Sequence, residues 1–144
     1  VQRIVGKNSK GENVTFAILD SAKWDRLYRD EGTEWYSRNE DGIQVSQMRW
    51  NKGKVFNAHH HKEYPRTANL TQECMVVFQG KLGYKIWDDT KDLIADGELC
   101  FGDVLIIYGG WHEFTILEDG TVAIETKNGP YTSVSEDKEY LNEN

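Results

Sequence analysis

Short apolar runs and two-residue alternation dominate this chain, and almost nothing in it repeats at helical spacing. In an extended strand successive side chains point to opposite faces, so residues two apart share a face. That period predicts strands over Val14–Leu19, Gly42–Trp50, Lys54–His61, Gln72–Gln79, Leu82–Trp87, Asp92–Ile94, Val104–Tyr108, His112–Leu117 and Thr121–Lys127. Turn signals separate them: Asn51-Lys52-Gly53, Gln79-Gly80, Phe101-Gly102-Asp103, Gly109-Gly110 and Glu118-Asp119-Gly120. One short helix is expected, over Ala22–Arg29. Antiparallel strands at this spacing imply a sandwich or barrel. Within the strands, Glu73, Met75 and Val77 share a side, as do Leu82, Tyr84 and Ile86, and His112, Phe114 and Ile116. Glu73 and His112 thus stand at the ends of apolar rows, the arrangement of a pocket with an apolar floor and a polar mouth.

Composition supports this picture and narrows the function classes. With 13 glycines, 2 prolines and 12% aromatic residues, the chain suits many short strands joined by glycine turns. Its 144 residues fit one domain, and a domain of this size buries roughly 68–70% of its unfolded surface without disulfides. Cys74 and Cys100 lie in apolar strand-like runs and are expected to be reduced. A formal charge of -7 argues against a phosphate-backbone footprint, so no nucleic-acid partner is expected. No apolar run approaches the ~20 residues of a membrane span. A cytoplasmic location with no membrane partner is the expectation.

Three of the 4 histidines are consecutive, His59-His60-His61, and the fourth is His112. On a strand, His59 and His61 project to the same side, ~6.5 Å apart along the chain, while His60 points away. Three imidazoles with a carboxylate suit zinc, iron, nickel or manganese and leave coordination positions open for water or substrate.

These residues resemble the cupin family. Its first motif, G-x5-H-x-H-x3/4-E-x6-G, matches Gly53, then His59 and His61, and then Glu73 with Gly80. Eleven residues, Lys62–Gln72, separate the halves, which puts Glu63 forward as a rival carboxylate; the x6-G spacing and strand-face alternation favour Glu73. The second motif, G-x5-P-x-G-x2-H-x3-N, matches at Gly102 and Gly110. There Tyr108 replaces the proline, His112 arrives one residue early and Ile116 replaces the asparagine. A narrower similarity, carried by Thr71-Gln72-Glu73, Gly109-Gly110-Trp111-His112 and Lys127-Asn128-Gly129-Pro130-Tyr131, is to small uncharacterised cupins found with polysaccharide and nucleotide-sugar biosynthesis.

The resemblance implies an all-β, single-domain antiparallel jelly-roll β-barrel with extra N-terminal strands and one short helix. Residues 1–41 would form an N-terminal extension packed outside or exchanged with a second subunit, 42–127 the barrel core, and 128–144 a C-terminal tail. It implies a divalent metal on His59, His61, Glu73 and His112, and a homodimer. Tyr84 and Tyr108 are the candidate acid or base, and Arg49, Gln72, Trp111 and Phe114 the candidate substrate contacts. The implied activity is metal-dependent isomerase, lyase or oxygenase chemistry on a small oxygenated metabolite, such as a sugar or nucleotide sugar. The alternative is a noncatalytic small-molecule or carbohydrate binder, since fold does not fix function.

Overall fold

The computed structural model of the chain describes residues 1–21, 30–63, 65 and 68–141. Ten strands and one helical turn follow one another: β1 Gln2–Lys7, β2 Asn13–Asp20, β3 Gly32–Trp35, β4 Ser46–Arg49, β5 Glu73–Gln79, β6 Leu82–Trp87, β7 Leu93–Leu99, β8 Val104–Ile107, β9 Trp111–Ile116, β10 Val122–Lys127 and α1 Val134–Asp137. They form a five-stranded sheet in the order β1-β2-β8-β5-β10, a three-stranded sheet β7-β6-β9, and the ribbon β3-β4. Every pairing is antiparallel. From β5 onward the chain crosses between the two larger sheets four times, and the apolar faces they turn to each other bury the main core.

That core contains Ile4, Phe16, Met75, Val77, Leu82, Tyr84, Ile86, Leu99, Leu105 and Ile107. The alternation read from sequence is realised here: Met75 and Val77 point inward, as do all three members of the Leu82, Tyr84, Ile86 row. The opposite face of the five-stranded sheet is covered too. Ile18, Cys74, Ile106 and Tyr108 pack there against Tyr36, with Ile43 and Val45 alongside. Strand β8 is therefore buried on both faces, which explains its unbroken apolar run Val104-Leu105-Ile106-Ile107. Leu105, fully buried between the sheets, is expected to cost about 3 kcal/mol when replaced by alanine, because the lost contacts leave a cavity. Urea unfolding with an unchanged m-value checks this.

Several expectations change. The two larger sheets do not close into a barrel. The N-terminal strands are neither an outer layer nor detached: β1 and β2 are built into the five-stranded sheet, and β2 pairs directly with β8. Strand β1 escaped the sequence reading because Arg3, Gly6 and Lys7 interrupt its apolar signal. Gly42–Trp50 shortens to β4, and Asp92–Ile94 becomes the longer β7. Gly97 in β7 is required by packing, since a Cβ there would lie 2.9 Å from the Tyr84 hydroxyl. Lys54–His61 is not a strand; residues 48–63 are exposed throughout, and this stretch has no sheet neighbour to complete its backbone hydrogen bonds. The expected helix Ala22–Arg29 lies outside the described residues. No described helix is long and apolar enough to cross a membrane. Cys74 and Cys100 are free thiols.

Candidate functional site

One side of the two-sheet body is stitched shut and the other is open. On the shut side, Lys7 N–H donates to Asp88 Oδ2 at 2.7 Å and Asp89 N–H to the Lys7 carbonyl at 3.2 Å, tying β1 to the turn after β6. On the open side, β9 ends one sheet and β10 ends the other. A cavity of about 900 Å3 occupies this seam, lined by residues of β5, β9 and β10 and by the C-terminal segment from Asp137 to Leu141.

Glu73 begins β5 and His112 is the second residue of β9, so one comes from each sheet. Their side chains meet across the seam, His112 Nε2 standing 3.1 Å from Glu73 Oε2. Glu73 is 6% exposed. The approach is short but poorly aligned for a hydrogen bond, so Oε2 remains a buried carboxylate oxygen with acceptor capacity to spare. The contact with His112 holds the Glu73 carboxyl below its ordinary value, against the upward push of burial. Glu73 in turn raises His112 above its ordinary value, and a backbone hydrogen bond at Gly110 acts in the same direction.

This pair makes stability depend on pH. Glu73, lowered from 4.5, contributes above that value and loses the contribution as pH falls through its folded pKa. His112, raised from 6.5, contributes fully below that value and loses the contribution as pH rises through its folded pKa. Melting temperature is therefore expected to peak between about pH 4.5 and 6.5 in chelator-treated protein. Glu73→Gln should flatten that dependence, and an identical profile in both proteins would refute it.

Around the pair the cavity is acidic and aromatic. Asp89, Glu113, Glu125, Asp137 and Glu139 line it with Trp87, Trp111, Phe114 and Tyr140, while Lys138 brings a positive charge. Lys91 lies over the Trp111 ring, 5.1 Å from its centroid. Two of these carboxylates are engaged at long range, Glu113 with Lys85 and Asp137 with Lys127, each at 3.7 Å.

Of the residues singled out from sequence, Glu73, His112, Trp111 and Phe114 come together here. His59 and His61 do not. They converge on each other, ring centroids 5.3 Å apart, in the exposed segment after β4. His59 Nδ1 lies 2.9 Å from the Asn57 carbonyl. Among the described residues no three metal-ligating side chains are grouped to hold an ion. Glu63 is exposed in the same segment and does not line the cavity. Arg49 borders a separate shallow recess beside Asp30, Glu31 and Glu34. Gln72 does structural work: its Oε1 accepts from Ile43 N–H at 2.7 Å, and its own N–H donates to Asn128 Oδ1 at 2.6 Å.

Tyr84 and Tyr108 do not line the cavity either. Tyr84 is core between the sheets, and Tyr108 belongs to the cluster on the opposite face, where burial pushes its hydroxyl pKa up. Alternation placed Tyr84 on the inner row correctly but could not say how deep it sits. The sequence reading missed Asp89, Glu125 and the C-terminal Glu139 and Tyr140. Tyr140 and Leu141, the main apolar residues of the charged tail from Ser133 to Asn144, were the one hint that this end docks. No family model, curated protein or solved structure matches the chain.

Proposed function

We propose that this chain is a metal-dependent protein of cupin type that takes a small polyhydroxylated metabolite into the Glu73–His112 seam. The observation that carries the reading is the meeting of a buried carboxylate and an imidazole, one from each sheet, at the wall of a cavity large enough for a small ligand. Four of the five connections from β5 to β10 pass between the two larger sheets, the exception being the β6–β7 hairpin, and this supports a jelly-roll winding.

Glu73 and His112 are ligand types that suit zinc, iron, nickel or manganese, and the spare acceptor capacity of buried Oε2 fits a cation. Two protein ligands fall short of the three or four that such ions take, and His59 and His61 are the side chains to supply the rest. A bound ion would contribute Lewis-acid chemistry toward a substrate oxygen. The chain's own groups would do the remainder. In the metal-free protein His112 would hold a proton at Nε2, poised by Glu73, and an ion bound between the two would displace it. Asp89 and Glu125 would accept hydrogen bonds from ligand hydroxyls, and Trp87 and Trp111 would offer apolar faces to a sugar ring.

The acidic lining also selects within the substrate class. Five carboxylates besides Glu73 against Lys138 repel a diphosphate, so the site suits a neutral sugar or an amino sugar better than a nucleotide sugar. Titration calorimetry on protein loaded with zinc or iron is expected to show binding of neutral or amino sugars and none of nucleoside-diphosphate sugars. Preference for the diphosphates would overturn this selection, and identical binding by metal-free protein would overturn the metal dependence. A noncatalytic binding role is the second reading, favoured by Tyr84 and Tyr108 standing away from the cavity. Unaltered sugar recovered after incubation with metal-loaded protein distinguishes it.

A further inference from the structure

The seam cavity has one wall that neither sheet supplies. After β10 the chain turns at Asn128, whose backbone N–H donates to the Gln72 carbonyl and whose side-chain amide donates to the Leu70 carbonyl, each at 3.3 Å. With Gln72 N–H donating back to Asn128 Oδ1, these bonds fix the root of the C-terminal segment beside the start of β5. From there α1 leads back to the seam, and Asp137 to Leu141 line the cavity together with Glu73 and His112.

That wall is fastened at one residue. Asp137 accepts a hydrogen bond from the Thr71 hydroxyl at 3.1 Å and stands 3.7 Å from Lys127 Nζ. Lys138 N–H still donates to the Val134 carbonyl at 2.9 Å, but among the described residues Glu139, Tyr140 and Leu141 make no hydrogen bond or ion pair. No residue of α1 is buried, and Tyr140 is 51% exposed. A segment with so few buried apolar contacts opens at little free-energy cost, independently of the body it lies on.

Position gives this looseness a use. Contacts between β1 and the turn after β6 close one side of the two-sheet body, so the open side, where this segment lies, is the way in. The segment also stands within electrostatic reach of the buried pair. Behind the mutual hydrogen bond of Glu73 and His112, which dominates both groups, the Lys138 charge lowers the pKa of each.

We propose that residues 138–141 are a lid on the Glu73–His112 cavity, latched through Asp137 to Thr71 and Lys127, that swings aside to admit a ligand and closes with Tyr140 against it. This rests on the reading of the cavity as a ligand site given above. Closure adds the Tyr140 ring and the Glu139 carboxylate to the faces of Trp87 and Trp111, a combination of apolar surface and acceptor that suits a hydroxylated ring. It also excludes water from around the buried pair, and it makes lid opening a step in ligand release.

Two measurements test the lid, the first with no ligand present. Trypsin cleaves after Lys138, so release of the 139–144 peptide from the full chain, followed by intact mass, reports the open population when closing outpaces cleavage. Thr71→Val/Lys127→Met removes both partners of Asp137 and leaves the sequence around the cleaved bond unchanged. Release is expected to accelerate about fivefold or more, with the melting temperature within about 3 °C of wild type. Thr71→Val alone should give a smaller rise, and it carries the test if the double variant does not fold. Release at the wild-type rate from the folded variant would overturn the latch. The second measurement uses D-glucosamine and zinc-loaded protein. Tyr140→Ala/Leu141→Ala is expected to weaken binding about tenfold, chiefly through faster dissociation, and saturating glucosamine should slow peptide release from wild type about as much. Undiminished affinity in that variant, or release from saturated wild type at the unliganded rate, would overturn the lid. Faster release from the latch variant supports the strap even where wild type binds no glucosamine, a result that would count against the sugar reading alone.

Discussion

Under the proposed function, replacing His112 with alanine is expected to weaken metal and ligand binding by about 100-fold or more while leaving the strands assembled, because the side chain lines the cavity and is not part of the core. His112 lies at the seam, one-third exposed, with Phe114 as its ring neighbour at 5.9 Å. The larger consequence falls on Glu73. Its carboxylate is buried, and His112 is the largest influence holding it ionised. Without the imidazole, desolvation is the dominant influence left, and the group moves toward its protonated form. Breaking a buried pair typically costs 3–5 kcal/mol when the remaining charge is trapped. Here protonation and the partial exposure of the site relieve it, and we expect roughly 1–2 kcal/mol of lost stability. Calorimetry for binding and circular dichroism for the fold separate the two effects. Glu73→Gln should reproduce the binding loss with less loss of stability, since the amide preserves shape and carries no charge. Tyr84→Phe and Tyr108→Phe should leave ligand affinity within about twofold. A tenfold loss at either tyrosine would restore it as a site residue.

Gly110→Ala is expected to be strongly damaging, at about 3–5 kcal/mol. Two independent effects add. The residue sits at φ +79°, a left-handed conformation that costs an L-residue with a side chain roughly 1–2 kcal/mol. The alanine Cβ would also lie 2.5 Å from the Trp87 carbonyl oxygen and 2.6 Å from the Phe16 ring. A ring can rotate, but a strand carbonyl cannot yield without disturbing the β6–β9 pairing at Trp87 and Trp111. His112 lies two residues on, so the same shift moves the site. A fall in melting temperature of about 10 °C or more, with parallel loss of ligand binding, is the expected result. Gly120 has nearly the same φ, +74°, but its nearest contact would be the Gln79 side-chain nitrogen at 3.5 Å. Gly120→Ala should therefore show the backbone strain alone, about 1 kcal/mol, and the difference between the two glycines isolates the clash.

Much of the sheet framework is legible in the order of residues. Each of β5, β6, β8, β9 and β10 falls inside or within a residue of its predicted run, because a two-residue alternation bounded by glycine turns leaves few alternatives. The same alternation set Glu73 with Met75 and Val77, and His112 with Phe114, on the faces where they are found. What failed did so for identifiable reasons. The run Ala95-Asp96-Gly97-Glu98 is too polar to announce a strand, and it is held as one only by its pairing with β6. The histidine triplet looked like strand because of the residues before it, yet among the described residues it has no sheet neighbour.

By itself the sequence determined which residues alternate, where the turns fall and that Glu73 and His112 stand at the ends of apolar rows, because strand periodicity is a local property of the backbone. Only the tertiary structure decided that β1 and β2 belong to the main sheet, that Tyr84 and Tyr108 lie on opposite faces of it, and that Glu73 meets His112 while His59 and His61 stand apart. Those outcomes depend on which edges pair and which stay open, a matter of sheet order across the whole chain that no local pattern encodes.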